Sequence, residues 1–320
     1  MQVGVKEIIL AVNYQPEQMV KYLGETSRDL GITITMSQED EPMGTAGPLA
    51  LARKHLAGAS NFFVMNSDVI CEFPLQQMLD HHVAHGHEGT IMVTKVQDWS
   101  KYGVVVFEEA AHNAIQRFVE KPQEFVGDKI NAGIYIFKPE ILSRIELKPT
   151  SIERDIFPVM AADKQLHAFV LPGYWMDIGQ PKDFLIGMVL HLDFLKRSEP
   201  QTLATGANIR GNVLIDPTAT VHASAVLGPD VVIGPGAIVG AGARIKRSTV
   251  MDGAKVLDCA WVNSTIVGWQ STVGRWTRVE ANTVLGMDVQ LSDEIVVNGA
   301  MVLPHKGVKE SILQAGSIVM

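Results

Sequence analysis

IDPTATVHASAVLGPDVVIGPGAIVGAGARI (215–245) places an aliphatic residue at every sixth position: Ile215, Val221, Leu227, Ile233, Val239 and Ile245. A helix repeats near 3.6 and a strand repeats at 2, so a period of six belongs to neither. Outward from this stretch the spacing begins at Ile209 and continues through Met251 and Leu257. Asn263 interrupts it, and it resumes at Val267, Val273, Val279, Leu285, Leu291, Val297 and Leu303. Small residues such as Ala219, Ala225, Ala237 and Ala243 sit four positions after the aliphatic one. Gly or Asp often follows it directly, as at Asp216, Gly228, Gly234, Gly240 and Gly274. This is the hexapeptide signature of a parallel β-helix. Three hexads make one triangular coil, with the aliphatic residue stacked inside and small residues at the corners. His222 is the one histidine within the regular hexads, and it reads as a surface corner residue. The other reading, a general base in a cleft between coils, is the weaker one.

Upstream of residue 200 the texture is different. IILAV (8–12), FFVMNSDV (62–69), GTIMVTKV (89–96), YGVVVFE (102–108) and AGIYIFK (132–138) read as strands, being short, apolar and bounded by Gly, Asn or Asp. Pro16 to Leu30, Pro48 to Ala57 and Leu75 to His85 have helical spacing, and Pro16 and Pro48 suit a helix start. Alternating strands and helices predict an α/β domain with a mainly parallel sheet covered on both faces. Pro181 to Arg197 reads as a closing helix, and SEPQTLATGAN (198–208) as a linker. The expected organisation is therefore an α/β domain over 1–197, a linker over 198–208 and the β-helix with its tail over 209–320.

Composition narrows the function. The 320 residues carry 27 Lys plus Arg against 35 Asp plus Glu, a net charge of -8, with no basic block, which argues against nucleic acid as a partner. No apolar run reaches the length of a membrane span, and the first residues do not read as a signal peptide. Two cysteines, Cys71 and Cys259, lie far apart, which gives no disulfide framework or cysteine metal site. A cytoplasmic protein without a membrane partner is the expectation.

Four stretches of the first half could carry chemistry. In EPMGTAGPLALA (41–52), Gly44 and Gly47 leave backbone uncovered so that it can approach a flat base or an anion. The plain alternative is a turn before a helix. FFVMNSDV (62–69) runs an apolar strand into Asn66, Ser67 and Asp68. A carboxylate at a strand's carboxyl end lies on the ligand edge of an α/β sheet and is a hard ligand for Mg²⁺; a helix cap is the other reading. RFVEKP (117–122) offers Glu120 as an acceptor for sugar hydroxyls and Lys121 as a point charge for a phosphate, or else a solvated turn at Pro122. INAGIYIF (130–137) sets Asn131 and Gly133 before a buried strand. In GYWMDIGQPKDF (173–184), bulky Tyr174, Trp175 and Met176 are expected to be buried and to shield Asp177, which then needs a partner or a metal unless it caps the next helix.

In this order, ahead of hexapeptide repeats, GTAG, NSD, FVEKP, NAG and WxDIG closely resemble the motifs of the sugar-phosphate nucleotidyltransferases, over essentially the whole chain. Proteins with such repeats have left-handed coils, so the resemblance implies a Rossmann-like nucleotidyltransferase sheet followed by a left-handed β-helix. Within the family, SKYGVVV (100–106), NGAMVLPHK (298–306) and the terminal Ile-Val-Met (318–320) are similar to the branch that uses GTP and mannose 1-phosphate. The implied reaction gives GDP-mannose and pyrophosphate. The resemblance assigns catalytic roles to Asp68, Lys121 and Asp177, with Asp68 and Asp177 holding Mg²⁺. It places Glu41, Gly44, Thr45 and Ala46 at the base, and Gly103, Glu120, Asn131 and Gly133 at the sugar. It also implies a homo-oligomer and a possible related regulatory subunit.

One departure stands out. The family pattern opens with a strand and a loop of the form GGxGTRLxPLT, then a PKP segment, and neither occurs here. The run from Met1 to Val5 aligns with the end of the family's first helix and its second strand. An N-terminally truncated form of the enzyme, expected to lack activity as given because that loop holds the triphosphate, is one expectation. A non-catalytic regulatory or assembly partner of a full-length subunit is another. A transferase for a different sugar phosphate, such as glucose 1-phosphate, is a third.

Overall fold

The computed structural model describes residues 3–12, 17–56, 58–108 and 112–320. Pro16 and Ala57, expected at helix ends, lie outside them. In chain order the first elements are β1 (Glu7–Val12), α1 (Glu17–Leu30), β2 (Thr33–Gln38), α2 (Gly47–Leu51), α3 (Arg53–Leu56), β3 (Phe62–Met65), β4 (Val69–Cys71) and α4 (Leu75–His85). There follow β5 (Gly89–Lys95), β6 (Gly103–Glu108), β7 (Ala114–Glu120), β8 (Lys129–Phe137), α5 (Phe157–Ala162), β9 (Leu166–Val170), β10 (Trp175–Asp177) and α6 (Pro181–Ser198). Two compact units result. Met1–Ser67 with Phe73–Pro172 forms the first, and Asp68–Glu72 with Gly173–Met320 forms the second.

The first unit is built on a six-stranded sheet in the order β3-β8-β5-β9-β7-β6. The expected mainly parallel sheet is corrected here. Among the described residues β5 and β9 form its one parallel pair, and β3–β8, β5–β8, β7–β9 and β6–β7 are antiparallel. The cause lies in the connections. No helix intervenes between β5 and β8, and only a crossover of a dozen or more residues can return a chain parallel. β1 and β2 pair in parallel as a separate ladder. The core gathers Ile91, Val93, Tyr135, Phe137, Phe157, Met160, Leu166 and Ala168, all buried. Three of its rings interlock, Phe157 lying 5.3 Å from Tyr135 and 6.2 Å from Phe137.

In the second unit three ladders of short parallel strands stack into a β-helix. Its interior is a column of Leu227, Ile233, Val239, Ile245, Val250, Val256, Val262, Val267, Val273, Val279 and their successors, each essentially sealed from solvent. This corrects the sequence register. Val221 pairs with Val239, a coil of eighteen residues, but Val239 pairs with Val256 and Val256 with Val273, coils of seventeen. Val250, Val256 and Val302 point inward in place of Met251, Leu257 and Leu303. Asn263 is no interruption, because Val262 is the inward residue. The short sides are Ile245–Val250, Val262–Val267 and Val297–Val302. Each turns its corner through one left-handed residue, Arg247 (φ 47), Ser264 (φ 50) or Gly299 (φ 60).

Those corners are sealed by buried hydroxyls. Ser248, Thr265 and Thr283 are fully buried. Ser248 Oγ accepts from the Thr265 amide at 3.0 Å and donates to the Lys246 carbonyl at 2.7 Å. Thr283 Oγ1 accepts from the Ala300 amide at 3.3 Å. His222 is exposed and bonded to Ser224 Oγ at 2.8 Å, a corner residue as expected. Outside the column, α6 lays Leu185, Met188 and Leu192 against Ile266, with Leu214, Val232, Met251 and Val284 alongside. Met251, displaced from the interior, is thus part of the helix seat. Asn212 Nδ2 donates to Asp193 Oδ1 at 2.6 Å and pins the same helix.

Candidate active site

Asp68 and Asp177 meet within the second unit. The antiparallel pair β4–β10 sets Asp177 opposite Val69, and the Ile178 amide donates to the Asp68 carbonyl at 2.7 Å. The carboxylates converge on Gly179. A Cβ built there would lie 3.2 Å from Asp177 Oδ1 and 3.3 Å from Asp68 Oδ2. The Gly179 amide donates to Asp177 Oδ1 at 3.0 Å, which fixes that side chain and leaves Oδ2. Two hard oxygen donors beside a bare glycine could hold a divalent cation. Asp68 is exposed and Asp177 half-buried. Tyr174, Trp175 and Met176 are half-buried rather than sealed. Tyr174 packs on Phe194 and bonds His191 Nδ1 at 2.8 Å, so its bulk serves the α6 seat. Gly187 brings α6 close; a Cβ there would lie 2.7 Å from Ile178 and 3.1 Å from Ile70.

The remaining candidates belong to the first unit. Gly44 takes φ +71, and an added Cβ would strike the Thr150 carbonyl at 2.5 Å. The Ala46 amide donates to that same oxygen at 2.9 Å, and Ala46 is fully buried. Thr45 Oγ1 donates to Glu153 Oε2 at 2.6 Å and accepts from the Ile152 amide at 2.9 Å. Gly44, Thr45 and Ala46 are therefore clamped onto residues 150–153, while Glu41 is exposed at the loop's start.

Glu120 ends β7 opposite Gly103 of β6. A side chain at Gly103 would meet Phe118 at 2.5 Å and Glu120 Oε2 at 2.9 Å, so only glycine leaves that carboxylate its place. Burial, then the charge of Glu153, raises the Glu120 pKa. Lys121 turns outward through a left-handed backbone (φ 44), with its ammonium 3.9 Å from Glu120 Oε1. It is well exposed.

Asn131 and Gly133 lie at a bulge of β8, where the register against β5 shifts between Ile91 and Val93. Asn131 Nδ2 donates to the Tyr135 hydroxyl at 2.8 Å, and its Oδ1 accepts from the Gly133 amide at 3.0 Å. Gly133 (φ +74) passes so close to Asn66 that a Cβ would sit 2.8 Å from Asn66 Nδ2. Tyr135 is buried, and burial followed by the charges of Glu153 and Glu120 raises its pKa.

Sequence reading did not single out Glu153, Ser151 or Tyr135. Ser151 Oγ accepts from the Arg154 amide while the Ser151 amide donates to Asp155. This reciprocal cap opens the π-type turn Ile152–Ile156 and aims Glu153 at Thr45. Ser followed by a cluster of charge was the available signal, a helix start without a visible target.

The chain belongs to the nucleotidyl transferase family, whose model, described as "Nucleotidyl transferase", matches residues 1–192. The profile described as "GMPPB C-terminal domain" matches residues 209–318. Among curated relatives, mannose-1-phosphate guanylyltransferase 1 of Arabidopsis thaliana is 55% identical over 314 residues, 98% of this chain and 87% of that protein. The mannose-1-phosphate guanyltransferase of Schizosaccharomyces pombe is 56% identical over 319 residues, 99% of this chain and 88% of that one. The Drosophila melanogaster catalytic subunit beta of the same activity is 56% identical over 310 residues, 97% of this chain and 84% of that one. A Bacillus anthracis crystal structure titled as a glucose-1-phosphate thymidylyltransferase shares the fold. Its TM-score is 0.53 and its identity 21%, over 64% of this chain and 80% of that one.

Proposed function

We propose that this chain transfers a guanylyl group from GTP to mannose 1-phosphate, giving GDP-mannose and pyrophosphate. The identity to mannose-1-phosphate guanylyltransferases along nearly the whole chain carries this reading. An oxygen of the sugar phosphate attacks the α-phosphorus of GTP, and the bond to the pyrophosphate oxygen breaks. The protein's part is positioning and charge neutralisation, with no side-chain nucleophile.

In this reading Lys121 receives the sugar phosphate, and Glu120 accepts hydrogen bonds from sugar hydroxyls. Asn131 holds the bulge that brings the bare backbone of Gly133, with Gly103 opposite Glu120, to the sugar. Gly44, Thr45, Ala46 and Glu41 form the base pocket, with Ala46 as its buried floor. Asp68 and Asp177 would hold Mg²⁺, which neutralises phosphate charge when bound. Residues 1–197 form the transferase domain and 198–208 the linker to the β-helix of 209–320. No described helix is long and apolar enough to cross a membrane, and the low cysteine content supports a cytoplasmic setting.

The test is pyrophosphate release by residues 1–320 with GTP, Mg²⁺ and mannose 1-phosphate, repeated with other nucleotides and with glucose 1-phosphate. Asp177→Asn should lower the rate roughly 10²-fold or more at a nearly unchanged melting temperature. Preference for another pair of substrates, or full activity of the Asn variant at low Mg²⁺, would refute the reading.

The β-helix also supports self-association. Leu313, Ile318 and Met320 are exposed at its last turn, where, among the described residues, strand Ile318–Val319 pairs on one side only, with Met301–Val302. Sedimentation of the full chain at micromolar concentration should show a dimer or larger species, and a clean monomer would overturn this.

A further inference from the structure

Six of the ten histidines, His81, His82, His85, His87, His112 and His167, gather in the first unit, and the proposed reaction uses none of them. His85 ends α4, and Gly86 caps that helix in the left-handed region (φ 69) and swings His87 back alongside. His167 comes from β9, level with Thr90 of β5. One nitrogen from each of His85, His87 and His167 lies within 4.8 Å of the other two. The three rings are near-parallel. His85 and His167 are 4.0 Å apart at 12°, and His87 and His167 are 4.7 Å apart at 5°.

The hydrogen bonds around the group fix its tautomers. His167 Nδ1 meets the His112 carbonyl at 3.0 Å, so that nitrogen carries a proton and Nε2 carries a lone pair. His87 Nδ1 lies 2.7 Å from His167 Nε2, so a single proton is shared between them. His85 Nδ1 accepts from the His87 amide at 3.0 Å, while its Nε2 meets Thr90 Oγ1 at 2.8 Å. A histidine whose far nitrogen is tied to a backbone carbonyl is the usual support for a metal-bound imidazole. A further sign of an incomplete hydrogen-bond set is His81 Nε2. It is buried without a hydrogen-bond partner, in a ring 5.4 Å from His85.

We infer that His85, His87 and His167 form a binding site for a borderline divalent transition metal of the Zn²⁺ type. Imidazole nitrogens select Zn²⁺, Co²⁺, Ni²⁺ or Cu²⁺ over Mg²⁺, which prefers oxygen. Three histidine ligands leave a fourth position for water. Binding replaces the proton shared by His87 and His167 and one hydrogen bond of His85. The rings must tilt to open the nitrogens toward the ~3.3 Å separation that bonds of ~2.0–2.1 Å impose in a tetrahedral site. The group lies at the amino-terminal end of β5, beside Gly89 and Thr90, whereas Asn131 pairs with Val93 further along that strand. A metal here would clamp α4, the following turn and β9 together, away from the sugar-binding candidates.

The experiment uses the full chain without a histidine tag, stripped by chelator and titrated with Co²⁺. Expected is one Co²⁺ per chain with the intense visible absorption of a low-coordinate nitrogen site, displaced by Zn²⁺ and not by excess Mg²⁺. Zn²⁺ at about 100 times its Kd should raise the melting temperature by several degrees. Asp177→Asn should leave this signal intact. His87→Gln, at a half-buried turn position where the fold should survive, should weaken binding about 10–100-fold, and addition of His167→Gln should abolish it. Absence of the absorption, equal affinity in folded His87→Gln, or loss of the signal in Asp177→Asn would each overturn the site.

Discussion

Burial and the charge of Glu153 both raise the Glu120 carboxyl above its ordinary pKa of 4.5. A carboxyl that holds its proton more tightly when folded favours the native state in acid, and this advantage is lost as pH rises past 4.5. At neutral pH an ionised Glu120 therefore works against folding, as expected for the proposed sugar-binding role. Glu120→Gln keeps the shape and removes the charge. Its melting temperature at pH 7 should equal or exceed that of the parent, the gain should vanish below pH 4.5, and turnover should fall about 10–100-fold. A lower melting temperature at pH 7 with unchanged activity would show that Glu120 is structural. The conformational demands here were legible in part. The glycine of GTAG marked a backbone left bare for a close approach, and the structure shows the Thr150 carbonyl as the neighbour that Gly44 meets. Glu153 was not legible, because its partner Thr45 lies more than a hundred residues away, and no local pattern encodes such a contact.

The elements differ in how far local sequence determined them. The β-helix announced itself because every coil repeats the same demand for one inward aliphatic residue per side. Its register slipped in reading because a side can lose one residue and still turn, given a left-handed corner and a buried hydroxyl. Ser248 and Thr265 supply such hydroxyls on successive coils. Ser248→Ala would leave the buried Thr265 amide without its acceptor, at a cost of about 1–3 kcal/mol. Chemical denaturation of the two proteins should show that loss, and Ser248→Thr should restore most of it. Equal midpoints for Ser248→Ala and the parent would mean that another acceptor takes over. The sheet of the first unit was misread in direction for a related reason. The apolar runs were visible, but β7 and β9 were not marked as strands, and strand direction depends on how segments between 89 and 137 connect, which apolar patterning does not encode.

At the scale of the molecule, the acid pair belongs with the β-helix. Asp177 ends β10 and Asp68 immediately precedes its antiparallel partner β4; α6 presses this pair through Gly187 and seats Leu185, Met188 and Leu192 on the face that includes Ile266. The β-helix thus holds the proposed metal ligands through one helix, which gives a domain of repeats a part in positioning the chemistry. A side chain at Gly187 would test that chain of contacts without touching either carboxylate. Gly187→Ala places a methyl 2.7 Å from Ile178 Cγ2, so either Ile178 moves or α6 lifts. A shift of about 1 Å in a positioning element costs roughly 10²-fold in rate, while overpacking by one methyl costs about 1–3 kcal/mol. Turnover of Gly187→Ala should therefore fall far more than its melting temperature, and raised Mg²⁺ should recover part of it, because the displaced carboxylates bind the ion more weakly. Parent-like turnover would show that the β4–β10 pair holds its shape independently of α6. A fall that Mg²⁺ does not relieve would place the disturbance elsewhere than at Asp68 and Asp177.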